Sequence, residues 1–125
     1  MSGRVSNTNE YNNEIDIKYE MGTSDRKVYE NLLEIQNTLE ESFNLMKQHL
    51  TTRPMERLRN KYFKMRYKNY EDAWEYRVNR KIRVYLIVYP SERRVYIFGA
   101  GAHPNGSAPT PPKSKNILWS RFLVV

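Results

Sequence analysis

The sequence predicts an α+β domain: one strand, two helices, then a three-stranded antiparallel meander, with both helices packed on one face of the sheet. Two patterns carry this expectation. Between Val28 and Leu50 apolar residues recur at spacings of three and four, the period of a helix with one buried face. Between Ala73 and Ala100 the chain alternates in period two, broken by short turn signals, as consecutive half-buried strands do. At 125 residues there is room for one domain.

Each element follows from its residues. Residues 1–13 are polar, rich in Asn and Ser, and are expected to be unordered. In Glu14–Met21, Ile15, Ile17 and Tyr19 fall on one face and Glu14, Asp16, Lys18 and Glu20 on the other, which predicts the first strand. Ser24 then stands where an N-cap is needed, with Asp25 in the first turn. The stripe Val28, Leu32, Ile35, Leu39, Phe43, Met46 and Leu50 predicts one long amphipathic helix that packs on the core. His49, near its end, is expected to complement the helix dipole. Thr51-Thr52-Arg53-Pro54 interrupts it, and proline at a first helical position predicts a second, shorter helix from Pro54 that buries Met55, Leu58 and Tyr62.

The meander comes next. Trp74, Tyr76 and Val78 share one face, and Ile82, Val84, Leu86 and Val88 continue it beyond a turn at Asn79-Arg80-Lys81. Pro90-Ser91-Glu92 turns into a last strand, Arg94–Ala100. The domain is expected to span 14–106. In 107–125 a Pro-rich extended linker, Ser107–Asn116, leads to an apolar end, ILWSRFLVV, open to reading as a further strand or a docking tail.

Composition narrows the function classes. Without cysteine there is no disulfide, zinc–thiolate site or cysteine nucleophile, and two histidines do not make a histidine-rich metal site. No cofactor or metal is expected. The apolar runs are too short for a membrane span and the N-terminus lacks a signal's apolar stretch, so a cytoplasmic protein is expected.

The net charge of +7 is uneven. Residues 1–52 carry 5 basic and 9 acidic side chains, residues 53–94 carry 13 and 5, and the remainder 3 and none. In the basic segment cations interleave with aromatics, as in a surface that meets phosphates and unpaired bases. The expected nucleic-acid contacts are Arg57, Lys61, Lys64, Arg66, Lys68, Arg80, Lys81 and Tyr85.

Period two also brings chemistry together. Glu75 and Arg77 share a strand face, as do Arg83 and Tyr85 on the next strand, opposite the face turned to the helices. His103 follows the last strand on a Gly-rich loop. Such a group suits RNA cleavage by the RNA's own 2′-OH. Glu75 and His103 would share the roles of base and acid, while Arg77 and Arg83 stabilise the charged transition state. The plainer reading of Glu75 is a cross-strand ion pair, and that of His103 a loop residue. A non-catalytic nucleic-acid-binding protein is the alternative function, and a protein-interaction module, docking through the helix stripe and the apolar tail, a weaker one.

The run from Tyr70 to Pro104 resembles the RelE/ParE toxin superfamily. The resemblance rests on Trp74-Glu75-Tyr76-Arg77-Val78, Arg83-Val84-Tyr85, Val95-Tyr96-Ile97-Phe98 and Gly101-Ala102-His103. It implies a RelE-like fold and a metal-independent endoribonuclease toxin acting on mRNA, mostly on the ribosome, or a ParE-like inhibitor of DNA gyrase. It also implies a small acidic antitoxin as partner and functional positions at Glu75, Arg77, Arg83 and His103. Where RelE-like toxins carry a Tyr or Lys after the last strand, this chain has Asn105-Gly106-Ser107-Ala108-Pro109.

Overall fold

A computed structural model of the chain describes residues 18–67, 69–102, 109–112 and 121–124. The described residues form an α+β domain with two α-helices and a six-stranded, mostly antiparallel sheet. Strand β1 is Glu20–Thr23, helix α1 Arg26–Thr38 and helix α2 Glu40–Thr52. Strands β2 (Tyr62–Tyr67), β3 (Tyr70–Arg77), β4 (Ile82–Tyr89), β5 (Arg94–Ala102) and β6 (Phe122–Leu123) follow. The spatial order is β2-β3-β4-β5-β1-β6. The chain thus leaves β1, crosses by the helices to the far edge, and returns through four antiparallel strands until β5 lies parallel to β1.

Several expectations need correcting. The first strand is expected at Glu14–Met21, but its described part is Glu20–Thr23; residues 14–17 lie outside the described residues. The helix cap is Asp25, whose Oδ1 accepts from the Lys27 and Val28 amides at 2.8 and 3.1 Å, while Ser24 instead meets the Tyr96 hydroxyl at 2.8 Å. A carboxylate at that position also suits the helix dipole.

The long helix is two helices, broken at Leu39 (φ −133°, ψ 53°). Glu40 and Glu41 then occupy a new first turn, where their charge is favoured. The apolar stripe runs through the break without a change of spacing, so periodicity alone does not reveal it.

No helix starts at Pro54. Pro54 and Met55 form a turn, and Tyr62 opens β2, so the meander has four strands where three are expected. Tyr62 is fully buried, stacked on Trp74 with ring centroids 4.5 Å apart, and its hydroxyl donates to the Pro54 carbonyl. His49 does not serve the helix dipole alone: it is buried, its Nε2 lies 2.8 Å from the Glu56 carbonyl, and its ring meets Tyr62 edge-on.

The two faces of the sheet differ. On one, Val28, Leu32, Ile35, Phe43, Met46 and Leu50 of the helices pack on Trp74, Tyr76, Val84, Leu86, Val88, Val95 and Ile97. These are the residues whose periods place them inward. The opposite face is a second apolar cluster of Tyr70, Ala73, Tyr85, Ile87, Tyr96 and Phe98, edged by Met65, Tyr67 and Tyr89. The segment Pro109–Pro112 lies against it: Tyr67 and Tyr70 donate to the carbonyls of Pro109 (2.9 Å) and Pro112. Phe122 of β6 stacks on Tyr29 of α1 at 4.8 Å. Both described parts of 107–125 therefore contact the domain.

Candidate nucleic-acid interface

The site is built at the end of the sheet where β3 turns into β4. Asn79 makes the turn: its Oδ1 accepts from the Lys81 and Ile82 amides at 2.8 and 2.7 Å. That hairpin fixes the register Glu75↔Tyr85 and Arg77↔Arg83, with Gly101 of β5 opposite Arg83. Side chains two apart share a face, so Glu75, Arg77, Arg83 and Tyr85 meet as their spacing predicts.

Their geometry is an ion-pair cluster. Oε2 of Glu75 lies 3.2 Å from Arg77 Nε and 3.2 Å from Arg83 Nε. The two arginines are not equivalent. The Arg83 side chain is 10% exposed, and its Nη1 donates to the Asn79 carbonyl at 2.7 Å, so it braces both the carboxylate and the turn. The Arg77 side chain is 42% exposed and spans the rim, its guanidinium 4.9 Å from the centre of the Phe63 ring. Lys61 lies beside Arg77: its carbonyl accepts from the Arg77 amide, and its Nζ donates to the Arg77 carbonyl at 3.2 Å, 5.3 Å from the centre of the Tyr76 ring. Arg80 and Lys81 are exposed in the turn itself. Arg77 and Arg83 therefore pair with one carboxylate at this end, beside the exposed Arg80 and Lys81 of the adjoining turn.

Tyr85 belongs to this row but is buried, 2% exposed, beside Phe98 and under Gly99. A base has no access to its ring, so the expected stacking role is corrected to core packing. Burial, reinforced by the charge of Glu75, pushes its phenol above the usual tyrosine range.

The remaining cations lie elsewhere. Arg57, Lys64 and Arg66 line a cleft of about 1180 Å³ along β2 and the 90–92 turn, together with Glu71, Asp72 and Glu92. Lys64 pairs with Asp72 at 3.4 Å. Mixed charge makes that cleft a poorer phosphate track than the β3–β4 end. Lys68 and His103 lie outside the described residues.

Sequence reasoning counts Phe63 among the interleaved aromatics but misses the strand that sets it beside Arg77. The signal was present, since Tyr62–Tyr67 alternates in period two, but proline and a helical spacing of apolar residues outweighed it. Among the described residues no three His, Cys, Asp or Glu side chains gather as a metal site requires, and no helix is long and apolar enough to cross a membrane. No family model matches the chain, and no curated protein does.

Proposed function

We propose that this protein binds single-stranded RNA through the β3–β4 end of its sheet. The carrying observation is the Glu75 carboxylate held between Arg77 and Arg83, with the exposed Arg80 and Lys81 in the adjoining turn and Lys61 hydrogen-bonded to the Arg77 carbonyl. Charge-assisted hydrogen bonds from guanidinium and ammonium groups to phosphate oxygens supply the affinity. Glu75 and the buried Arg83 hold Arg77 in place, and Arg77 with Lys61, Arg80 and Lys81 meets the backbone. The Arg77–Phe63 pair offers a flat cationic and aromatic surface for an unpaired base.

Strand cleavage is the second reading. It is favoured by a carboxylate within 3.2 Å of two guanidiniums, which would supply a base for the 2′-OH and stabilise charge on the transition state, while protonating the leaving 5′-oxygen is the role expected of His103. On this reading the protein is a RelE-like, metal-independent endoribonuclease toxin of the cytoplasm. Its mRNA substrate is presented by the ribosome, and a small acidic antitoxin covers the cationic end.

End-labelled mRNA incubated with the protein in EDTA, with and without ribosomes, separates the readings. RNA that is bound but intact supports binding alone. Fragments ending in a 2′,3′-cyclic phosphate, lost in Glu75→Gln and Arg77→Ala, support cleavage. RNA neither bound nor cut rejects both.

A further inference from the structure

We infer that the aromatic face of the sheet is a docking groove for a proline-rich segment of Pro-x-x-Pro type from a partner protein, held in this chain by its own Pro109–Pro112. The inference is independent of the RNA reading.

The segment reads Pro109-Thr110-Pro111-Pro112. Proline fixes φ near −65°, and Thr110 and Pro111, each preceding a proline, are driven to extended backbone, which together favour a polyproline II helix. That helix has three residues per turn, so residues 109 and 112 present their carbonyls on the same side. Those are the two carbonyls that Tyr67 and Tyr70 hold. The two tyrosines flank the β2–β3 connection, so a hairpin supplies two donors at the repeat of the ligand.

The floor is shaped for a proline ring. At Gly99 an added Cβ would lie 2.7 Å from Pro109 Cγ and 3.1 Å from Tyr85 Cδ2, so only a residue without a side chain lets the ring settle. Tyr85 and Phe98 surround that position, in the same cluster as Tyr70 and Tyr96. Aromatic walls, hydroxyl donors spaced for carbonyls and a backbone floor are the means by which proline-rich segments are recognised. The recognition reads prolines and carbonyls, not a covalent link, so a segment of like sequence from another chain meets the same contacts. The tethered segment competes at a high effective concentration, which sets the threshold a partner must exceed.

The test uses a synthetic peptide of residues 107–116 and the full chain carrying Pro109→Ala, Pro111→Ala and Pro112→Ala. The variant is expected to bind the peptide saturably, and at least about tenfold more tightly than the wild-type chain, in which the resident segment competes. Adding Tyr67→Phe and Tyr70→Phe is expected to weaken binding about tenfold. Adding Gly99→Ala is expected to abolish it. If the triple variant does not fold, NMR of the wild-type chain at millimolar peptide takes its place, with shifts expected at Tyr67, Tyr70, Tyr85 and Phe98. Absence of those shifts, no saturable binding by the folded variant, or equal binding of a peptide with its prolines replaced by alanine would overturn the inference. So would wild-type dimers formed by exchange of this segment, because the occupant would then be a second copy.

Discussion

The two faces of the sheet are closed by different means. The helix face is sealed by thirteen-residue helices whose stripe interlocks with Leu86, Val95 and Ile97, all fully buried. The aromatic face is roofed in part by Pro109–Pro112, joined to it by two tyrosine hydroxyls and one proline ring over a glycine. A helix lid buries a large area cooperatively, whereas a four-residue lid contributes little area and comes off at small cost. The fold therefore rests on the helix face, and the opposite face carries the thinner cover together with the charged end at Glu75, Arg77 and Arg83.

The largest contrast to test is in the core. Phe43→Ala on the helix face is expected to cost about 4 kcal/mol, because the helices cannot collapse into the space left. Ile87→Ala on the aromatic face is expected to cost about 2 kcal/mol, since Ile87 borders the open cleft along β2 and the space left is not sealed. Urea unfolding of both variants measures the difference, and equal losses would break the comparison.

At the charged end, Glu75→Ala strips the buried Arg83 of its carboxylate, an expected loss of about 3 kcal/mol. Removing Arg83 as well should restore part of that loss, and a double-mutant cycle reads the coupling. Arg80→Ala with Lys81→Ala marks the small end of the scale. Both side chains are exposed, so stability should change by less than about 0.5 kcal/mol while RNA affinity falls.

Alkaline pH tests the faces together. Burial, then the neighbouring Tyr70, Tyr96 and Glu92, pushes the Tyr89 phenol up to about 12. Burial likewise raises Tyr62 and Tyr76 on the helix face and Tyr67 and Tyr70 on the other. An unfolded tyrosine ionises near about 10, so above that pH the unfolded chain releases protons that the folded chain keeps. Their contribution is complete below pH 10 and is lost as pH rises toward 12, so unfolding free energy should decline across that window. A flat profile between those limits would contradict the burial of these hydroxyls.

How much of this was legible in the sequence depended on what each residue's period could encode. Trp74, Tyr76, Val84, Leu86 and Val88 alternate, so their face was readable, and with it the register that brings Glu75, Arg77 and Arg83 together. The break at Leu39 was not readable, because the stripe keeps its spacing across it. Strand β2 was hidden by Pro54, which starts helices and turns alike. The closed state of the aromatic face was hidden more deeply. Tyr85 and Tyr96 look amphipathic in sequence, and their cover comes from a proline segment that reads as a linker. Short-range patterns encode which face a side chain takes but not what arrives from far along the chain to cover it.

The β3–β4 end is proposed to grip phosphate. The most direct measurement is the affinity of the full chain for a labelled single-stranded RNA across a range of salt, beside Arg77→Ala/Arg80→Ala/Lys81→Ala. Binding should weaken linearly in log salt, and the triple variant should lose about 0.7 from the slope for each phosphate contact removed. A triple variant with the wild-type affinity and slope, or a wild-type chain that does not bind at low salt, would contradict the account.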